Sequence, residues 1–139
     1  MATLTKTVTL SAAGGTSGLL TDPLSISMSK AVTITGNNTL KKMTVTQAAS
    51  LQLVAANATK RTLVYIKNNG TAATQDMRVY TDSDDGGATD ADATELIMEI
   101  AHGEFALFPA TLDHALLAQT LSADAEVEVG LFVIGDDFA

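Results

Sequence analysis

The chain has no cysteine, which excludes disulfides and thiolate-bound metals and leaves its redox compartment open. It has no tryptophan, and its aromatic complement is two tyrosines and four phenylalanines in 139 residues. With so few large rings, the pair in Phe105-Ala-Leu-Phe108 is expected to anchor the core. No apolar run approaches the ~20 residues of a membrane-spanning helix. Met1–Leu10 alternates threonine with other residues and lacks the continuous apolar stretch of a secretory leader. No membrane partner is expected, and the protein should stay where it is made. Helix formers such as Glu, Lys, Gln and Arg are sparse, whereas Thr, Ala, Val and Leu abound, the composition of strands and polar loops.

Basic residues are absent from the last part of the chain. All eight (Lys6, Lys30, Lys41, Lys42, Lys60, Arg61, Lys67, Arg78) lie at or before position 78, where only Asp22 and Asp76 oppose them. The remaining fourteen acids follow without a single base, and the formal net charge is −8. Such a split can simply solvate surface, or it can let a basic arm of one subunit lie on the acidic body of another. The net charge opposes nucleic-acid binding. Tyr65 and Tyr80, near Lys67 and Arg78 in sequence, are read as core residues and not as base-stacking platforms.

What is present organises into an arm and a body. Residues 1–30 are rich in Thr, Ser and Gly, and Thr3–Leu10 alternates with Leu4, Lys6, Val8 and Leu10 on one side. Ala12–Gly18 has linker composition, and Leu19, Leu20 and the stretch around Pro23 read as extended. This segment cannot build its own core, so it is expected to dock through Leu4, Lys6, Val8, Leu10, Leu19 and Leu20. Residues 31–139 read as the body. Ala31–Thr35 and Thr39–Thr46 flank a Gly36-Asn-Asn38 turn as a hairpin. Arg61–Asn68 is apolar on both faces and marks a central strand. Asn69-Gly70 reads as the hairpin turn leading into Asp76–Thr81. Glu95–Ala101 sets Leu96, Met98 and Ile100 inward, and Val127, Val129, Leu131 and Val133 share one face of the last strand. His102-Gly103-Glu104 is a corner in which Gly103 is free to take a positive φ. The predicted core is Leu63, Tyr65, Ile66, Phe105, Phe108, Leu131 and Val133. Short strands at turn-punctuated spacing predict an all-β antiparallel sandwich or jelly roll.

The chemistry-bearing residues do not assemble into a catalytic pattern. The acidic loop places Asp82, Asp84, Asp85, Asp90 and Asp92 together, and calcium takes oxygen ligands. Counted from Asp82, however, an EF-hand puts Gly86 at position five and Ala93 at position twelve, where a bidentate Glu belongs. His102 and His114 lack a cysteine partner and would need Glu104 or Asp113 to form a transition-metal set. There is no G-x-S-x-G elbow and no phosphate-cradling loop before a helix. The reading is a non-enzymatic protein with no cofactor and no small-molecule substrate.

Leu53-Val-Ala-Ala-Asn57, Lys60-Arg61 and Leu63-Val-Tyr-Ile-Lys-Asn-Asn-Gly70 are followed by Ile100-Ala-His-Gly-Glu-Phe-Ala-Leu-Phe108 and a closing strand, Val127–Ile134. This succession resembles small all-β bacteriophage virion proteins, from about position 50 to 135. The resemblance implies a capsid decoration or cement protein made in the host cytoplasm and carried on the virion surface. Its partners would be the major capsid protein and copies of itself, as a homotrimer. A tail or head-fibre module binding a host receptor or glycan is the alternative within that class, and a lectin-like sandwich the alternative outside it.

Overall fold

A computed structural model of the chain describes residues 2–12, 24–34, 38–81 and 96–136. The chain divides into two units, residues 1–35 and 36–139.

In the first unit, β1 (Ala2–Ala12) and β2 (Leu24–Ile34) form a two-stranded antiparallel ribbon. Its register runs unbroken from Ala2 opposite Ile34 to Ala12 opposite Leu24. Thr3, Thr5, Thr7 and Thr9 are exposed, as are Ser27, Ser29 and Thr33 on the opposing strand. The Thr7 hydroxyl donates to Ser29 Oγ at 3.2 Å. Ala31–Ile34 therefore pairs back onto β1 and makes no hairpin with the strand that follows.

The second unit contains β3 (Asn38–Val45), β4 (Leu51–Val54), β5 (Asn57–Asn68), β6 (Met77–Thr81), β7 (Leu96–Ile100), β8 (Phe105–Leu112), β9 (Leu116–Thr120) and β10 (Ala125–Asp136), plus one 3-10 turn at Ala73–Gln75. These strands make two four-stranded antiparallel sheets, ordered β3-β10-β5-β8 and β4-β9-β6-β7. The pairings β3·β10, β4·β9, β5·β8 and β6·β7 are those of one long antiparallel double strand rolled up, so the body is an eight-stranded jelly roll. The predicted all-β sandwich is the fold adopted.

Each described connection in this unit passes from one sheet to the other. That overturns the hairpin expected at Asn69-Gly70: β5 and β6 lie in different sheets. Gly70 is needed there for close approach. A Cβ on it would fall 2.8 Å from Gln75 Cβ and 2.9 Å from Asn68 Oδ1. Gly103 does take a positive φ, +77°, at the corner from β7 to β8.

The core is aliphatic. Val45, Leu53, Val64, Ile66, Met77, Val79, Val127 and Val129 are fully buried in one cluster between the sheets. Each such side chain contributes about 1.5–3 kcal/mol through removal from water. Of the predicted core, Ile66 belongs to this cluster, and Phe108 and Leu131 pack against it. Leu63 is buried, while Tyr65 and Val133 are half-buried. Phe105 is not a core residue, since 65% of it is exposed. Alternation along β8 turns Ala106, Phe108 and Ala110 to the core and leaves Phe105 on the other side. Among the described residues, the fully buried ring is Tyr80. Leu96, expected inward, is exposed because β7 slips in register between Val79–Met98 and Tyr80–Leu96.

Candidate interaction face

The outer face of the β3-β10-β5-β8 sheet is built in cross-strand rows fixed by register. One row is Lys42, Glu128, Lys67 and Phe105; the next is Leu40, Gly130, Tyr65 and Leu107; the third is Asn38, Phe132, Leu63 and Pro109. Leu40 is 68% exposed, and Phe105 lies at 65%. The Tyr65 and Phe105 rings sit 6.3 Å apart, tilted by 42°. Gly130 makes this arrangement possible, because a Cβ there would meet Phe132 Cε2 at 3.1 Å and Tyr65 Cβ at 3.3 Å. An aromatic residue opposite a strand glycine covers the backbone the glycine leaves bare. Burial pushes the Tyr65 phenol above its ordinary range, and the nearby Glu128 charge adds to the shift.

Charges border this apolar surface. Lys42 Nζ lies 2.9 Å from Glu126 Oε1 and 3.7 Å from Glu128 Oε1. The hydrogen bond to Glu126 is the largest cause holding the Lys42 ammonium above its usual range. The face therefore combines exposed apolar area with paired charges of both signs.

A polar clasp closes one end of the sandwich. Asn68, fully buried, donates from Nδ2 to the carbonyls of Gln75 (2.8 Å) and Ile100 (3.2 Å), and its Oδ1 accepts from Gly70 N–H at 2.9 Å. Gly103 N–H donates to the Asn68 carbonyl at 2.9 Å. Beside it, Asp76 Oδ1 accepts from the His102 backbone N–H at 2.8 Å and lies 2.8 Å from His102 Nδ1. Sequence reading paired neither residue with the other, since 26 positions separate them.

The His102 side chain, followed by its backbone N–H, holds the Asp76 carboxyl below the usual carboxylate range. A depressed folded pKa stabilises the protein above the ordinary carboxylate range, about 3.9. That stability is lost as pH falls through the folded value. Asp76→Asn should accordingly melt below the wild type at neutral pH, with the gap narrowing as pH falls below about 4. A gap that stays constant across thermal melts from neutral to acid pH would contradict this.

The remaining predicted residues are scattered. Leu4, Lys6, Val8 and Leu10 occupy β1 opposite Val32, Lys30, Met28 and Ile26. Leu19, Leu20, Asp82, Asp84, Asp85, Asp90 and Asp92 lie outside the described residues. Among the described residues, no three His, Cys, Asp or Glu side chains group to hold a metal. Asp113 and His114 border a cleft of ≈ 300 Å³ whose other walls are mainly apolar, with Phe108, Leu112 and Leu116 among them. Tyr65 and Tyr80 stand in different sheets, which removes the shared basic-aromatic strip considered from sequence.

No protein-family model, curated protein or solved structure matches the chain.

Proposed function

We propose that the chain is a structural virion protein that binds the outside of a bacteriophage capsid and reinforces it. The observation that supports this reading most is the jelly roll of the second unit, preceded in the chain by a long paired ribbon. Double-sheet jelly rolls serve as capsid proteins, though also as lectins and cupins, and fold alone does not name a function. Among these uses, the sequence resemblance over positions 50–135 favours a virion protein. In this role the ribbon makes the inter-subunit contacts, through strand addition to a neighbour or across adjacent capsomers. Many weak contacts in an array then act together through high effective concentration. Exposed Phe105 beside Tyr65 favours the second reading, a tail or head-fibre module that stacks on a host glycan.

Removing residues 2–34 tests the first reading. The core cluster runs from Val45 to Val129, so the body should stay folded. Occupancy on capsids is expected to fall by about tenfold or more, as the loss of linked contacts implies. Unchanged occupancy would count against the arm's role. Raising salt from about 0.05 to 0.5 M should also weaken attachment if arm and body attract through charge. Salt-independent attachment would point to apolar packing.

A further inference from the structure

We infer that the outer face of the β3-β10-β5-β8 sheet packs against the same face of a second copy, about a two-fold axis parallel to the strands and midway between β10 and β5. A two-fold interface must be complementary to itself, with each residue meeting its counterpart reciprocally. The row positions satisfy that condition. Rotation about this axis exchanges β10 with β5 and β3 with β8. Glu128 then meets Lys67 of the second copy, and Lys67 meets its Glu128. Leu40 meets Leu107 of the second copy, and Lys42 meets the face of its Phe105, where a cation is attracted. The half-buried Tyr65 falls at the centre, where aromatic anchors carry most binding energy. A face with charges of one sign would repel its own copy, whereas these rows set opposite signs together.

Area bounds the strength. Four strands about 4.8 Å apart and three rows about 6.7 Å apart span roughly 400 Å² per partner. The total of roughly 800 Å² lies below the about 1,200 Å² of stable specific interfaces, in the range of weak, transient ones. The expected association is a weak, reversible dimer.

Sedimentation equilibrium on the full chain, from about 5 to 500 µM, tests this. The wild type should fit a monomer–dimer equilibrium. Lys67→Glu and Glu128→Lys each place like charges across the axis and should weaken self-association about tenfold or more. An equimolar mixture of the two should dimerise again, because each copy then meets its opposite. Phe105→Ser, at a site too exposed to affect the fold, should weaken the dimer as well. A wild type that is monomeric throughout would overturn the inference, as would a mixture no better than its components or three variants that associate like the wild type. The inference stands on the geometry of one face, so its failure would leave capsid attachment to be judged by the occupancy test.

Discussion

Asn68→Ala is expected to destabilise the protein by about 3 kcal/mol or more. The side chain is fully buried and makes three hydrogen bonds, to Gln75, Ile100 and Gly70. Truncation leaves two carbonyls and one N–H without partners, and a buried polar group left unsatisfied costs about 1–3 kcal/mol. For a unit of this size the melting midpoint should drop by on the order of 15 °C. Asn68→Asp sharpens the test. Its carboxylate would keep the bond to Gly70 N–H but face the Gln75 and Ile100 carbonyls, raising its folded pKa. A raised carboxyl pKa destabilises more as pH increases, so this variant should regain stability on acidification. Equal melting of Asn68→Ala and the wild type would show that the clasp is not needed.

Leu53→Ala should cost about 2–5 kcal/mol, the range for a fully buried aliphatic side chain replaced by a smaller one. Phe105→Ala should change stability by no more than about 0.5 kcal/mol, as for an exposed site. Denaturant unfolding of the two variants decides where the core lies. A larger loss from Phe105→Ala would restore the aromatic corner as the anchor and contradict the burial pattern.

That contrast shows where the sequence was informative. Alternation identified the strands well, because Val127 and Val129 against Glu126 and Glu128 is a direct print of a half-buried strand. It also held the answer for β8, since Phe105 and Phe108 have opposite parity and cannot both face inward. Strand pairing was not legible, because a jelly roll pairs strands far apart in sequence, such as β3 with β10. Local turn chemistry then misleads. Asn69-Gly70 resembles a hairpin turn, yet its glycine is there to let Gln75 and Asn68 approach. The Asp76–His102 pair had no sequence signal, as it depends on two inter-sheet connections meeting at one end.

For the interaction face, the apolar and charged residues were visible but their grouping was not. Leu40, Tyr65 and Leu107 come from three strands and meet only through β10, whose Gly130 leaves room for the rings. The expected docking residues of the arm, Leu4, Lys6, Val8 and Leu10, share one strand of a paired ribbon. A two-stranded ribbon is marginally stable by itself in water.

Locating the chain in purified bacteriophage particles tests the virion reading most directly. Reconstruction of those particles with a labelled chain should place it in many symmetry-related copies on the outer shell. Its confinement to the tail tip, or its absence from the particle, would contradict the account.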